Sequence, residues 1–304
     1  MVPDAADRRR YVLWRTLGTV LERLPVDVAV GIAERLGWAA SLVPTPAREA
    51  ARENLRRITA HGSMTPIDER VLDRWVRRSF ASYGRYWAEG ATLPAQSAET
   101  ILDRIDLVEG RQHLEAAMAT GAGCIVALPH IGSWEWGGAL MSQIGFPMTA
   151  IAEELDPPEL FEWFVAKRAQ MGLTIEPLGP DAGQAVMGVL KEGGLVGLLC
   201  DRDIEGSGIP VELLGATTTM PAGPAMMALR TGATLLAGVI YSGPGHQHAA
   251  MLSAPLDVSR QGRMRDDVAA LTQQIADRLS VLIRRAPEQW HVFSNPFEGA
   301  GPAT

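Results

Sequence analysis

The chain has 304 residues, 47 % of them hydrophobic, with 31 Gly and 20 Pro. That is enough to bury a full α/β core, and it excludes the disordered and fibrous classes. The net charge of −7 conceals an asymmetry: residues 1–90 carry 15 Arg, no Lys and 11 acids (net +4), while the rest carry 13 basic and 24 acidic residues (net −11). An acidic chain of this kind is not expected to bind nucleic acid. Its basic end reads either as a face for an anionic membrane surface or as helices decorated with solvated arginines. Two cysteines, Cys124 and Cys200, each end an apolar run and read as small core residues of a reduced protein, not a disulfide framework. No apolar stretch approaches the ~18 residues that span a bilayer. Asp4 and Asp7, ahead of the arginines, argue against a signal peptide, so a cytosolic or peripherally bound protein is expected.

In chain order, Leu13, Leu17, Val20, Leu21 and Leu24 repeat at helical spacing up to Pro25. Asp27 is the expected N-cap of a second helix running to Leu42, closed by Pro44 and Pro46. These two helices form a predicted hairpin over 1–45, with Arg8, Arg9, Arg10 and Arg15 on one side and Trp14 with leucines on the other. Such a hairpin suits a membrane interface or packing against the main body. Helices follow over 47–60 and 68–89. From about residue 100 the texture alternates. Strands are predicted at 103–108, 124–128, 148–152, 174–177, 195–200, 209–214, 234–241 and 249–254. Helices are predicted at 110–119, 134–144, 157–171, 182–192, 221–231 and 265–285. The expected fold is α/β, a mixed, mostly parallel central sheet with helices on both faces. Residues 1–304 are read as one domain, with its α/β core over 100–295.

The richest stretch is His130-Ile-Gly-Ser-Trp-Glu135, directly after Cys124–Leu128 and Pro129. Open α/β sheets place ligands at the carboxyl ends of their strands. A neutral imidazole there takes a proton from an alcohol, and Glu135 can hold the ring and stabilise the imidazolium. The same pattern also fits a half-buried histidine satisfied by a nearby carboxylate. Ser133 and Trp134 open the following helix, whose N-terminus favours the neutral ring while Glu135 opposes that effect. A second strand end carries Asp201-Arg202-Asp203, where Arg202 suits an anionic head group, an oxyanion or a structural ion pair. Asp156, ahead of Pro157, is the expected cap of a helix on which Leu160, Phe164 and Arg168 share one face. Arg168 then needs Glu153, Asp201 or a substrate group as partner, unless its head reaches solvent. Met220–Ala225 reads as a proline-capped turn. His246 and His248 read as exposed loop residues, with no metal cluster around them. Nucleophile-elbow, Walker and dinucleotide-binding glycine motifs are absent.

Taken together these segments resemble the lipid A lauroyl-acyltransferase superfamily, most closely its actinobacterial phosphatidylinositol-mannoside acyltransferases. The residues that carry the likeness are Ser82–Trp87, Leu128–Glu135, Ala152-Glu153, Phe164–Arg168, Asp201–Asp203 with Ser207-Gly208, and Met220–Ala225. The resemblance implies transfer of a long acyl chain, palmitoyl for instance, from acyl-CoA to a sugar hydroxyl of a membrane glycolipid. His130 is then the base and Glu135 its partner; Glu153, Arg168, Asp201 and Arg202 line the site beside Ser133 and Trp134. It implies no metal and no bound cofactor, acyl-CoA being a co-substrate. It also implies a peripheral location on the cytoplasmic face of the cell membrane. Glu135 replaces the more usual Asp, and Asp201 the expected Glu, which leaves the sugar open but not the reaction class. A thioesterase, transfer to another lysolipid or glycolipid, and a non-catalytic lipid-binding protein are the alternatives.

Overall fold

The computed structural model describes residues 5–60 and 67–297. Four helices lead: α1 (Ala5–Glu22), α2 (Val26–Ala40), α3 (Pro46–Ala60) and α4 (Glu69–Thr92). Asp68 caps α4, its carboxylate accepting from the amides of Arg70 (2.8 Å) and Val71 (3.3 Å). The spacing predicts Asp27 as the cap of α2, but it is not. Pro25 holds that place with a φ of −54°, and Asp27 falls in the first turn, where its charge still suits the helix dipole. α2 and α4 pack backbone to backbone. A Cβ at Gly37 would lie 2.2 Å from the Phe80 carbonyl oxygen, and one at Gly84 2.2 Å from that of Ala33, so only glycine fits either position. The side chains of Arg8–Arg10 and Trp14, assigned above to the faces of the hairpin, lie outside what the structure describes. Among the described residues, no helix is long and apolar enough to cross a membrane.

The chain then alternates through α5 (Ala98–Arg104), β1 (Ile105–Glu109), α6 (Arg111–Ala119), β2 (Cys124–Leu128), α7 (Trp134–Gln143), β3 (Met148–Ala152) and α8 (Pro158–Gln170). It continues through β4 (Leu173–Pro177), α9 (Ala182–Lys191), β5 (Leu195–Leu199), β6 (Ile209–Leu213), β7 (Ala216–Met220), α10 (Gly223–Thr231), β8 (Thr234–Ser242), β9 (His248–Leu252) and α11 (Met264–Arg285). The sheet runs β1-β9-β8-β2-β5-β3-β4, parallel throughout except where β9 runs against β8. Because side chains alternate along a strand, β2 serves both faces of the sheet. Ile125 and Ala127 join the core beneath α9, α10 and α11, while Cys124, Val126 and Leu128 join the core beneath α5, α6 and α7. The fold is the expected one, mostly parallel with helices on both faces and a helical N-terminal region.

Three local expectations need correction. β7 was not anticipated, because its hairpin with β6 turns through Leu214 and Gly215, both at positive φ (55° and 81°), and leucine rarely occupies such a turn. Asp156 does not cap α8; Pro157 does, and the helix starts at Pro158. His248 is not an exposed loop residue. It begins β9, 4 % exposed and stacked on Trp136 with ring centroids 4.6 Å apart, since the Gly/Pro turn ends one residue earlier. His246 is half-buried and lies 3.1 Å from Asp27.

Candidate active site

The register of β2 and β5 builds the site. These parallel neighbours pair Leu128 with Leu199, so the residue two beyond each, His130 and Asp201, emerge side by side at the carboxyl edge. The His130 ring donates from Nδ1 to Asp201 Oδ1 (2.5 Å), and its amide donates to Oδ2 (2.9 Å). Trp290 Nε1 donates to the same Oδ2 at 2.7 Å. Asp201 is 1 % exposed and both its oxygens are engaged. Burial works to raise this carboxyl, but the charge of His130 and the hydrogen bonds from its ring, from Trp290 and from the His130 amide outweigh it. They hold Asp201 below the usual carboxylate range. An ionised Asp201 accepts from Nδ1, so whenever the ring carries a single proton that proton sits on Nδ1 and the lone pair on Nε2, on a side chain that is 23 % exposed. Such an imidazole can take a proton at Nε2. The partner that the sequence pattern gives to His130 is Glu135; the ring is in fact bonded to Asp201.

The turn between β2 and α7 has little freedom. Gly132 sits at φ +60°, and a Cβ there would fall 1.9 Å from the Ile240 carbonyl oxygen on β8. Its amide donates to the Gln289 carbonyl (3.0 Å), and the His291 amide donates to the His130 carbonyl (2.7 Å). The segment 289–291 therefore straps the turn from outside the sheet. The His291 ring meets Ser82 Oγ through Nε2 (2.9 Å) and packs on Tyr83 and Tyr86, with ring centroids 5.4 and 5.5 Å away. Burial, with the charge of His130 nearby, pushes its pKa down to about 3.

Glu135, in the first turn of α7, points to a second cluster. Its Oε1 accepts from Tyr86 (3.0 Å) and from Arg168 Nη2 (3.1 Å). Glu135 is 4 % exposed, and its Oε2 is buried without a hydrogen-bond partner. The Arg168 guanidinium lies over the Trp134 ring at 5.0 Å and the Phe164 ring at 5.6 Å. Trp134 Nε1 donates to Tyr86 Oη at 3.3 Å. Burial first, and the Glu135 charge second, raise the Tyr86 hydroxyl, which stays a neutral donor. Arg168 thus finds its partner in Glu135, neither in Glu153 nor in Asp201. Ser133 is the N-cap of α7, fully buried, its hydroxyl without a partner. Glu153 follows β3 exposed, and Arg202 is half-buried; neither has a hydrogen-bond or ion-pair partner among the described residues. Trp290 and His291 also touch this site, though the sequence reading did not single them out, and Tyr86 appeared there only within the Ser82–Trp87 segment, without a role. A possible signal was the polar-aromatic run Gln289-Trp290-His291 just after the last long helix.

Next to the second cluster a largely apolar cleft opens between α1, α4 and α8. Its walls include Leu21, Trp87, Trp163, Phe164 and Met171; Tyr86, Glu135 and Arg168 form its polar end, and Lys167 its rim. Lys167 Nζ lies 2.8 Å from Glu22 of α1.

Comparison with known proteins shows the family to which the chain belongs. A phosphatidylinositol mannoside acyltransferase of Mycolicibacterium smegmatis is 35 % identical over 250 residues, covering 81 % of this chain and 79 % of that protein. Phosphatidylinositol mannoside acyltransferases of two Mycobacterium tuberculosis strains, CDC 1551 and H37Rv, are 33 % identical over 250 residues, 81 % of this chain and 77 % of theirs. The family profile described as bacterial lipid A biosynthesis acyltransferase matches residues 7–298. The chain belongs to the bacterial lipid A biosynthesis acyltransferase family.

Proposed function

We propose that this protein moves a long acyl chain from acyl-CoA to a sugar hydroxyl of a phosphatidylinositol-mannoside-type glycolipid, with His130 as general base. The observation that carries the reading is the His130–Asp201 pair, hydrogen-bonded at the sheet edge beside a polar cluster and an apolar cleft. His130 Nε2 takes the proton of the acceptor hydroxyl as its oxygen attacks the thioester carbonyl. The tetrahedral intermediate collapses to the ester and expels the CoA thiolate, which takes the proton back from the imidazolium and leaves as free thiol. Asp201 orients the ring and stabilises its charged form. Glu135, through its unpartnered Oε2, and Arg168 hold the acceptor sugar, with Glu153 at the margin. Arg202 supports the oxyanion, Ser133 and Trp134 shape the turn, and the cleft beneath α1 takes the acyl chain. No step calls for a metal or a bound cofactor.

We further propose that the protein sits peripherally on the cytoplasmic face of the cell membrane. On α2, Val28, Ile32 and Leu36 are exposed at i, i+4 and i+8, and Trp38, Leu42 and Val43 are exposed apolar residues further along the chain. Arg70, Arg74 and Arg78 are exposed at the same spacing on α4, without ion-pair partners among the described residues. Apolar insertion beside a cationic row suits an anionic bilayer. Ile32→Glu with Leu36→Glu is expected to cut sedimentation with phosphatidylglycerol vesicles at least tenfold; unaltered binding would remove this face from the proposal.

CoA-thiol release from palmitoyl-CoA tests the reaction, with and without phosphatidylinositol mannosides and alongside His130→Ala. Release that depends on acceptor and on His130 is expected, with a loss of roughly 10²–10⁴-fold in the variant. Acceptor-independent release would replace the proposal with a thioesterase, and near-wild-type turnover by H130A would sink His130 as the base.

A further inference from the structure

We propose that Gly90 sets the length of the acyl chain that the protein transfers from its donor. The inference rests on the acyltransferase reading above and on the cleft beneath α1 as the seat of that chain.

Three other glycines of the N-terminal helices, Gly18, Gly37 and Gly84, have a steric reason to be glycine, whereas a Cβ at Gly31 would meet only the Arg35 guanidinium at 3.1 Å. A Cβ at Gly18 would come within 2.6 Å of the Trp163 ring, and those at Gly37 and Gly84 would meet backbone oxygens at 2.2 Å. Gly90 differs. It lies inside α4 in ordinary helical conformation, and a Cβ there would find nothing within 4 Å. Neither close approach nor backbone geometry calls for glycine, although glycine inside a helix costs stability relative to alanine. What Gly90 does is line the cleft, beside Trp87 and Ala91 and together with Leu21, Trp163 and Met171. It stands four residues after Tyr86, one helical turn from the polar end where Tyr86 and Arg168 hold Glu135. A side chain at this position would enter the space through which a hydrocarbon must pass to extend beyond the polar end. Bare backbone there keeps the path open for a long chain, and bulk there shortens it.

The test is a donor series from decanoyl- to stearoyl-CoA with one glycolipid acceptor, assayed on wild type, Gly90→Ala and Gly90→Leu. Each buried methylene is worth about fourfold in affinity, so the ratio of kcat/KM for palmitoyl- over decanoyl-CoA should fall roughly fourfold in G90A and at least tenfold in G90L. Alanine is a favourable helix residue, so G90A keeps the test alive if G90L does not fold. A ratio unchanged in both variants, or an equal loss for every donor, overturns the inference. So does a shift that follows the acceptor's own chain length in a matching acceptor series, because the cleft then holds the acceptor. Absence of transfer by the wild type with every donor would instead remove the acyltransferase reading itself.

Discussion

Two buried carboxylates lie close in space and make opposite use of their hydrogen bonds. Asp201 is saturated: one oxygen takes the His130 ring, the other the His130 amide and the Trp290 indole. Glu135 is half-used, with Oε1 shared by Tyr86 and Arg168 and Oε2 buried without a partner. A saturated carboxylate holds one geometry and one protonation state, which is what orienting a base requires. A buried oxygen left open carries a desolvation cost that a bound hydroxyl removes, which is what holding a sugar requires. Under the function proposed above, the first cluster carries the chemistry and the second recognises the acceptor.

The sharpest way to break this division is Asp201→Asn against Glu135→Gln. The first keeps the shape and removes the charge that fixes the ring. We expect kcat to fall roughly 10²–10⁴-fold with the acceptor KM little changed. The second should act mainly on the acceptor KM, raising it about 10- to 100-fold, the scale of a lost hydrogen bond to a charged group. Tyr86→Phe, which leaves the Arg168 contact in place, should raise the same KM several-fold. Steady-state kinetics with palmitoyl-CoA held saturating separates the cases. If D201N and E135Q shift the same parameter, the two clusters are one unit and the assignment fails.

Much of the first cluster was legible one residue at a time. His130 and Asp201 each end an apolar strand, and that alone marked them as site residues. Their pairing was not legible, because it depends on β2 lying next to β5 in register, 71 residues apart in sequence. Short spacing favoured Glu135 as the partner of His130. Position in the first turn of α7 carries Glu135 to Tyr86 and Arg168 instead, on two other helices. Fold class was readable from strand and helix periods, and Arg168 from its place on an apolar helix face. Trp290 and His291 were missed because they lie in an irregular segment with no period to mark them.

His291 joins the two clusters, its amide on the His130 carbonyl and its ring against Tyr86, and this gives the last and smallest prediction. Its pKa is pushed down to about 3 by burial and by the charge of His130, against about 6.5 in the unfolded chain. Between those values the unfolded chain binds a proton that the folded chain does not, so stability falls as pH falls below about 6.5. From pH 6.5 to 5.5 the loss is about 1 kcal/mol. Asp201 acts with the same sign at lower pH: its folded pKa is also depressed, so its stabilisation is complete above the ordinary carboxylate value and lost only below about pH 4. Of the two, only His291 contributes a pH-dependent loss between pH 6.5 and 5.5. Denaturant midpoints measured at pH 6.5 and 5.5 for wild type and for His291→Gln should therefore differ in slope, the variant lacking about 1 kcal/mol of the pH-dependent loss. Parallel slopes would mean that His291 takes up its proton as readily in the folded protein as in the unfolded chain, and the depressed pKa would be wrong.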